Sequence, residues 1–443
     1  MRKICLTLPT NRECAATIAA VNEEAVYAAE HFDVEVHLLI LDSSDASAFA
    51  GHARAVRELP RVPGVVVHHL GETEQRDFLQ RVIHRADVMK PELVLDLMLP
   101  ADVSYGACTN RAFLIGGALG CRSIHRRDSD SRYQVVNGAP VFPIHHELGS
   151  LGKRASDAVH GVSETTLDPR HADKPVTMAG SSFVGELSVD IGEIYQLDPD
   201  VYTDMVGLWA PADWSDEEKK QLVDESFRGA GSDPFTRDHS TLTLVDPLRV
   251  DMCNISFHQV HERVPLPPAT NTIGSDYFLM HLVHDAALPG VLHNRNIENF
   301  YTGERRTGPG FLAYQMRFVK FFLSMLYFNF LYDRMAQAGE SLLDDRYQVR
   351  ASVVAELVRE STRLDRAENV RRLDVLDASY RKLGGRYAEF ADLLASRRER
   401  LLDEARHDME DFALLIEVWE AMMSASGATS LHHIPRQRGC DRR

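Results

Sequence analysis

The first 130 residues alternate apolar runs with amphipathic stretches, and this pattern predicts an α/β fold. Residues 3–8, 34–41 and 65–69 are largely apolar and rich in β-branched side chains, which is typical of buried strands. Residues 15–25 and 72–86 carry apolar positions at helical spacing. Because a strand, a helix and a second strand form a right-handed parallel unit, we expect a parallel sheet with ligands at the carboxyl ends of its strands.

A further helix and strand are predicted before residue 125. Asn110 and Arg111 lie in a helical stretch whose small residues at 116–118 permit close packing on a sheet. Gly120 follows this stretch as a C-cap residue would. After it, residues 121–124 are predicted to form a short strand that delivers residues 126–130 to the same edge of the sheet.

Polar residues follow these predicted strands, at positions 9–12, 42–45 and 126–130. If the last segment is extended, Asp128 and Asp130 point to the same side and both carboxylates can face one divalent cation. The alternative is a solvated turn, because Asp and Ser favour turns by bonding their own backbone. The order of the neighbouring elements favours the cation site.

This order of elements resembles the GT-A fold of nucleotide-sugar-dependent glycosyltransferases, broadly of the family 2 type. The resemblance covers residues 3–130 and implies a Rossmann-like mixed sheet flanked by helices. It also implies that Asp128 and Asp130 bind Mn²⁺ or Mg²⁺ on the donor diphosphate. The loop at 42–45 reads Asp-Ser-Ser-Asp, where the family often has consecutive acids and a glycine. The resemblance therefore does not determine which nucleobase is bound. The donor-binding residues that the resemblance implies are Pro9, Thr10, Arg12, Asp42, Asn110, Arg111, Arg127 and Asp128.

Asp276 is the catalytic residue that the same resemblance implies. Family 2 enzymes commonly carry an acid at the start of a helix that faces the acceptor, and Asp276 matches it, with Ser275 in place of a preceding acid. A carboxylate at a helix N-terminus is held ionised and can accept the proton of an acceptor hydroxyl. The alternative is an ordinary helix cap.

His293 is a further metal ligand by resemblance, because some retaining GT-A enzymes similar to glucosyl-phosphoglycerate and mannosylglycerate synthases complete the metal site with a late histidine. His293 ends a predicted short strand. Two carboxylates, one imidazole and diphosphate oxygens suit Mg²⁺ or Mn²⁺. If His293 lies away from Asp130, the site reduces to the carboxylates and a retaining mechanism loses its support.

The chain after residue 310 has a helical pattern throughout, with a broad apolar face that includes Tyr314, Phe318 and Phe321. Such a face is usually a core or a subunit interface, and an interfacial membrane helix is the less favoured alternative. We therefore expect a transferase domain at 1–309, a helical C-terminal domain at 310–424 that can form a homodimer, and a disordered tail at 425–443.

Composition limits the binding partners and the cellular compartment that we expect for this protein. The chain has 443 residues, 44% of them hydrophobic, and a formal net charge of -16, which disfavours nucleic acid or an anionic membrane as the main partner. Its six cysteines show no paired spacing, so neither a disulfide framework nor a zinc site is expected. With no signal peptide or transmembrane segment expected, we predict a cytoplasmic protein.

Together these patterns predict a metal-dependent glycosyltransferase that moves a sugar from a nucleoside-diphosphate sugar to the hydroxyl of an unidentified acceptor. One alternative is a sugar-phosphate nucleotidyltransferase, although the loop at 9–12 lacks the glycine-rich sequence such enzymes usually carry. Another is a non-catalytic scaffold that uses its helices for assembly. With Asp276 as the base, displacement is direct and inverting.

Overall fold

A nine-stranded mixed sheet forms the centre of the protein, in a computed structural model that describes residues 1–300 and 303–431. The strands in chain order are β1 (Arg2–Thr10), β2 (Val34–Asp42), β3 (Val65–Leu70), β4 (Ser123–Arg127), β5 (Ser131–Tyr133), β6 (Val135–Val136), β7 (Ala139–Pro140), β8 (Glu164–Thr165), β9 (Met178–Gly180), β10 (Phe183–Gly185), β11 (Ser240–Thr243), β12 (Asn254–His258), β13 (Gly290–His293) and β14 (Ile297–Asn299). The main sheet has the order β3-β2-β1-β4-β12-β9-β13-β11-β8, and β10, β14 and β5 form a smaller one.

The first four strands form the parallel part of the main sheet. β1 pairs in parallel with β2 on one side and with β4 on the other, and β2 pairs in parallel with β3. The three strands predicted at 3–8, 34–41 and 65–69 are thereby confirmed. Because the chain runs outward from β1 in both directions, the gap between β1 and β4 is a topological switch point, where α/β sheets bind ligands.

Helices cover both faces of the sheet. In chain order they are α1 (Ala15–His31), α2 (Ala46–Glu58), α3 (Glu72–Ala86), α4 (Pro91–Met98), α5 (Tyr105–Leu119), α6 (Ile144–Ser150), α7 (Ala155–Ala158), α8 (Gly192–Leu197), α9 (Pro199–Val206), α10 (Asp216–Glu225), α11 (Val260–Arg263), α12 (Phe278–Asp285), α13 (Gly308–Ala338), α14 (Ala351–Ser361), α15 (Ala367–Leu383) and α16 (Gly385–Gly427). The helix predicted at 72–86 is confirmed as α3. Gly120 caps α5 in the left-handed conformation, with φ 75°, as predicted.

The helical pattern predicted for the C-terminal region is confirmed by α13 to α16, and these helices pack on the sheet layer. α16 lies against α3 and α5. Gly117 on α5 permits the close approach, since a Cβ there would lie 3.0 Å from Ser426 Oγ on α16. No helix in the described part of the chain has the length and apolar character needed to cross a bilayer. The tail predicted at 425–443 begins inside α16, and residues 432–443 lie outside the described residues.

β4 differs from its prediction in a way that changes the site. The strand predicted at 121–124 runs instead over Ser123–Arg127, and residues 129–130 form a turn rather than an extended segment. Successive side chains of a strand face opposite sides. Arg126 therefore lines the cleft at the switch point, whereas Arg127 points into the buried interior behind it.

Arg127 lies at the centre of a buried ionic network. Its Nε and Nη2 donate to the two carboxylate oxygens of Glu24 on α1 at 2.9 and 2.8 Å. The same Nη2 donates to Glu147 on α6 at 3.1 Å, and Tyr133 on β5 donates to Glu24 at 2.6 Å. Burial opposes the ionised form of Glu147, but Arg127 and His125 hold its pKa below the ordinary value. The network thus ties α1, α6 and β5 to the end of β4.

Removing this cation should destabilise the fold. Arg127→Met leaves Glu24 and Glu147 as buried carboxylates without a cation, and we expect the free energy of unfolding to fall by about 3–5 kcal/mol. Urea unfolding followed by circular dichroism measures the change. The control is Arg132→Met, because the Arg132–Glu298 pair is 62 and 38% exposed and contributes about 1 kcal/mol or less. Equal losses for the two variants would contradict the role assigned to Arg127.

Candidate functional site

A cleft of about 1250 Å³ opens at the carboxyl ends of β1 and β4. Its walls include residues 9–12 at the end of β1, 99–105 at the start of α5, 128–130 after β4 and 224–231 at the end of α10. This is the switch point of the sheet, where a ligand site is expected. The predicted site residues that line the cleft are Pro9, Thr10, Arg12, Arg111, Asp128, Asp130, Asp276 and His293.

Asp130 ties together the loops that follow β1 and β4. Its Oδ2 accepts hydrogen bonds from Arg12 Nη1 at 2.9 Å and from Arg305 Nη2 at 2.7 Å. The hydroxyl of Thr17 on α1 donates to the carbonyl oxygen of Ser129 at 3.2 Å. Two guanidinium groups from separate parts of the chain therefore meet at one carboxylate on the cleft floor.

Arg126 is shared by two further carboxylates. Its guanidinium lies 3.1 Å from Asp128 and donates to Asp276 Oδ2 at 2.9 Å. The Asp128 side chain is 29% exposed, within the cleft. Burial in the cleft raises the pKa of its carboxyl to about 6. Arg126 opposes this rise, and Asp130 and Asp276 add to it. Burial also raises the pKa of Asp276, against the opposing effect of Arg126. This part of the cleft therefore holds more negative than positive charge.

Asp251 is a cleft residue that the sequence pattern did not identify. Its carboxylate lines the cleft and accepts a hydrogen bond from the hydroxyl of Tyr277. β12 runs antiparallel to β4 with Asn254 opposite Arg127, so the residues before β12 lie beside those after β4. Only this strand pairing places Asp251 near Asp128, and strand pairing cannot be read from the local pattern around residue 251.

The two polar residues predicted on α5 have different surroundings. Asn110 is fully buried, and its amide donates to the carbonyl of Leu266 and accepts from the Leu266 N–H, both at 2.8 Å. Asn110 therefore holds the segment between α11 and α12 rather than a ligand. Arg111 does line the cleft, where it donates to the Gln75 side chain and the Met98 carbonyl, both at 2.7 Å. Burial lowers the pKa of Arg111.

Asp42 lies beneath the cleft wall and does not line it. Its Oδ2 lies 2.8 Å from both His52 Nδ1 and His69 Nε2. Burial opposes ionisation, but hydrogen bonds from His69, Ser44 and His52 hold the pKa of Asp42 below its ordinary value. The backbone N–H of Cys14 donates to His52 Nε2 at 3.0 Å, so this nitrogen carries no proton. The ring proton is therefore on Nδ1, which donates it to Asp42. Asp42 therefore supports the loop after β1 through His52.

Asp42, His52 and His69 are also the one group in the described part of the chain whose geometry could hold a metal ion. Their ligand atoms all lie within 4.8 Å of one another. The predicted metal ligands Asp128 and Asp130 do not form such a group with His293. The structure thus brings the two carboxylates into one cleft without bringing the imidazole to them.

His293 occupies a different wall of the cleft. It ends β13, is 4% exposed, and stacks on His146 with ring centres 5.5 Å apart. Neither ring nitrogen has a hydrogen-bond partner. Burial, followed by the nearby His146, lowers the pKa of His293 well below its ordinary value. The ring is therefore neutral, and both its donor and its acceptor are unused.

Comparison with known proteins identifies a family without an assigned activity. The model of DUF6271, described as a family of unknown function, matches residues 2–435, so the chain belongs to that family. A comparison with curated proteins gives no match.

Among solved structures, the chain is similar to the mannosyltransferase PcManGT from Pyrobaculum calidifontis, determined in complex with GDP-Man and Mn²⁺. The two are 10% identical, and the alignment covers 94% of this chain and 86% of that chain with a TM-score of 0.31. A similarity of this size does not establish a shared fold or reaction. The function of this chain must therefore follow from its own cleft.

Proposed function

We propose that this member of the DUF6271 family is a metal-dependent glycosyltransferase of the GT-A type, which moves a sugar from a nucleoside-diphosphate sugar to an acceptor hydroxyl. The observation that carries the proposal is the cleft at the switch point, which Arg12, Arg126 and Arg305 line together with Asp128 and Asp276. Guanidinium groups recognise phosphate oxygens, and a carboxylate can activate a hydroxyl. One cleft therefore holds the groups that both substrates need.

The donor diphosphate is assigned to the side of the cleft where Arg12 and Arg305 converge on Asp130. Both guanidinium groups are held by one carboxylate, and phosphate oxygens can take over these charge-assisted hydrogen bonds. Pro9 and Thr10 line the adjoining wall and are the proposed contacts of the nucleoside. Asp42, Asn110 and Arg127 are buried behind the cleft and support this wall instead.

A divalent cation fits the acidic side of the cleft. Asp128 and Asp276 share the single guanidinium of Arg126, and Asp251 lines the same cleft. Burial raises the pKa of Asp128, and the neighbouring Asp130 and Asp276 raise it further. Carboxylate oxygens suit Mg²⁺ and Mn²⁺, and we assign Asp128 and Asp130 as the ligands. When bound, the cation neutralises charge that develops on the leaving diphosphate.

Asp276 is the proposed general base. Its carboxylate is 7% exposed, is oriented by Arg126, and caps no helix, so a base fits its surroundings better than a helix cap. The acceptor oxygen bonds to the anomeric carbon while the bond from that carbon to the diphosphate oxygen breaks. The electron pair leaves with the diphosphate, and the hydroxyl proton passes to Asp276. Because His293 does not converge with the carboxylates, we propose direct displacement with inversion.

The helical region takes part in this site. We assign catalysis to residues 1–309 and propose that residues 310–424 complete the cleft, because Tyr314, Arg317 and Phe321 on α13 line it. A wall shared in this way would place the acceptor between the sheet layer and the helices.

The first test concerns the cation. Asp128→Asn should lower transfer from UDP- or GDP-sugars by about 1000-fold, because the cation supplies several kcal/mol of transition-state stabilisation. Chelation of the wild type with EDTA should have the same effect. Mn²⁺ affinity should also fall as the pH drops below about 6, where Asp128 becomes protonated and cannot ligate.

The matched control for this test is Asp102→Asn, because Asp102 is an exposed carboxylate that lines the same cleft. This variant should keep the wild-type rate and Mn²⁺ affinity. Undiminished turnover of the wild type in EDTA would refute the metal-dependent mechanism.

The second test concerns the base. Asp276→Asn should keep the dissociation constant of the donor while lowering the transfer rate by about 10²–10⁴-fold, since only proton acceptance is lost. Proton NMR of the wild-type product should show an anomeric configuration opposite to that of the donor. A product with the donor's configuration, or a variant as fast as the wild type, would rule out Asp276 as the base.

A further inference from the structure

One face of α13 forms a cleft wall that the proposed donor site does not use. The cleft-lining residues of α13 recur at helical spacing, and those on this face include Arg317, Phe321, Met325, Phe328 and Tyr332. At 1.5 Å per residue this face extends over about 22 Å. A largely apolar wall of this length, beside the charged residues of the same cleft, indicates a ligand with its own apolar surface.

The aromatic part of this wall adjoins the proposed base. Trp209 stacks on Phe227 with ring centres 5.2 Å apart and meets Phe321 edge-on at 5.4 Å, and all three line the cleft. A Cβ added to Gly274 would lie 3.0 Å from the Phe321 ring, so this ring packs directly on the segment that leads into Asp276. The wall therefore borders the place where the acceptor hydroxyl must lie.

A second ring pair extends the apolar surface. His281 on α12 and Tyr332 on α13 stack with ring centres 3.7 Å apart and nearly parallel planes, and both line the cleft. Burial lowers the pKa of His281 to about 3, so its ring is neutral near pH 7. This histidine therefore presents an aromatic rather than a charged surface.

Arg317 gives the wall one specific polar group. Its Nε is buried without a hydrogen-bond partner, and its guanidinium forms no ion pair with the described residues. Arg12, Arg126 and Arg305, which line the same cleft, are each paired with a carboxylate. A buried donor without an acceptor is unfavourable unless a ligand supplies the acceptor.

We infer that this wall is the acceptor subsite, and that the acceptor is a hydroxylated aromatic carboxylic acid. Its ring would pack on Phe321 and Trp209, its carboxylate would pair with Arg317, and its hydroxyl would face Asp276. The role of this ligand as the acceptor rests on the proposed function, whereas the subsite itself rests on the α13 wall and on Arg317. One helical turn, about 6 Å, separates Arg317 from Phe321, which matches a single ring with an acidic substituent.

The test uses 4-hydroxyphenylacetate and its neutral amide as probes, titrated calorimetrically into the full-length protein without nucleotide. The acid should bind about tenfold more tightly than the amide, because only the acid forms a charge-assisted pair with Arg317. Arg317→Gln should abolish this difference and leave amide binding unchanged. Phe321→Ala should weaken both probes.

Two variants keep the result interpretable. Arg334 lies on the same helix but pairs with Glu360 outside the cleft. The Arg334→Gln variant should therefore retain the tenfold preference. Asp128→Asn removes the proposed cation ligand and should also leave probe binding unchanged, so failure of the subsite and failure of the donor site are distinguishable. Equal affinity for acid and amide in the wild type would overturn the inference. Absence of binding by both probes at concentrations on the order of 10 mM would overturn it as well.

Discussion

The buried guanidinium of Arg127 is the constraint on which the cleft depends. It binds Glu24 on α1 and Glu147 on α6 in an interior that cannot tolerate an uncompensated charge. Because side chains alternate along β4, an inward Arg127 fixes an outward Arg126. The turn that carries Asp128 and Asp130 follows at once, so the interior network determines where the acidic side of the cleft lies.

The cleft built on this framework keeps its charges unbalanced. Arg12 and Arg305 meet at Asp130, where positive charge is in excess, while Arg126 faces several carboxylates, where negative charge is in excess. A diphosphate with its cation would satisfy both halves together, since each supplies the charge that one half lacks. The same logic explains a raised pKa at Asp128 beside an arginine, because burial and neighbouring acids outweigh one ion pair.

The amino-acid sequence predicts the framework well and the direction of single side chains poorly. The first three strands, α3 and the Gly120 cap follow from local periodicity and cap chemistry. Arg127 lies behind the cleft rather than in it, because β4 extends three residues beyond the strand predicted at 121–124, and in a strand the side that a residue faces depends on its position. Asp251 and the buried hydrogen bonds of Asn110 depend on contacts between distant segments, which no local pattern contains.

The central claim is that the switch-point cleft binds a nucleoside diphosphate together with a divalent cation. Isothermal titration of the wild type with UDP, GDP, their sugars and the corresponding triphosphates, in Mn²⁺ and in EDTA, tests it most directly. We predict one site per chain for one of the two diphosphates, with an affinity at least tenfold higher in Mn²⁺ than in EDTA, since Asp128 and Asp130 would hold a cation that offsets the charge of the diphosphate. Absence of binding for both nucleotides, or tighter binding of the nucleoside triphosphate than of the diphosphate and its sugar, would contradict the claim.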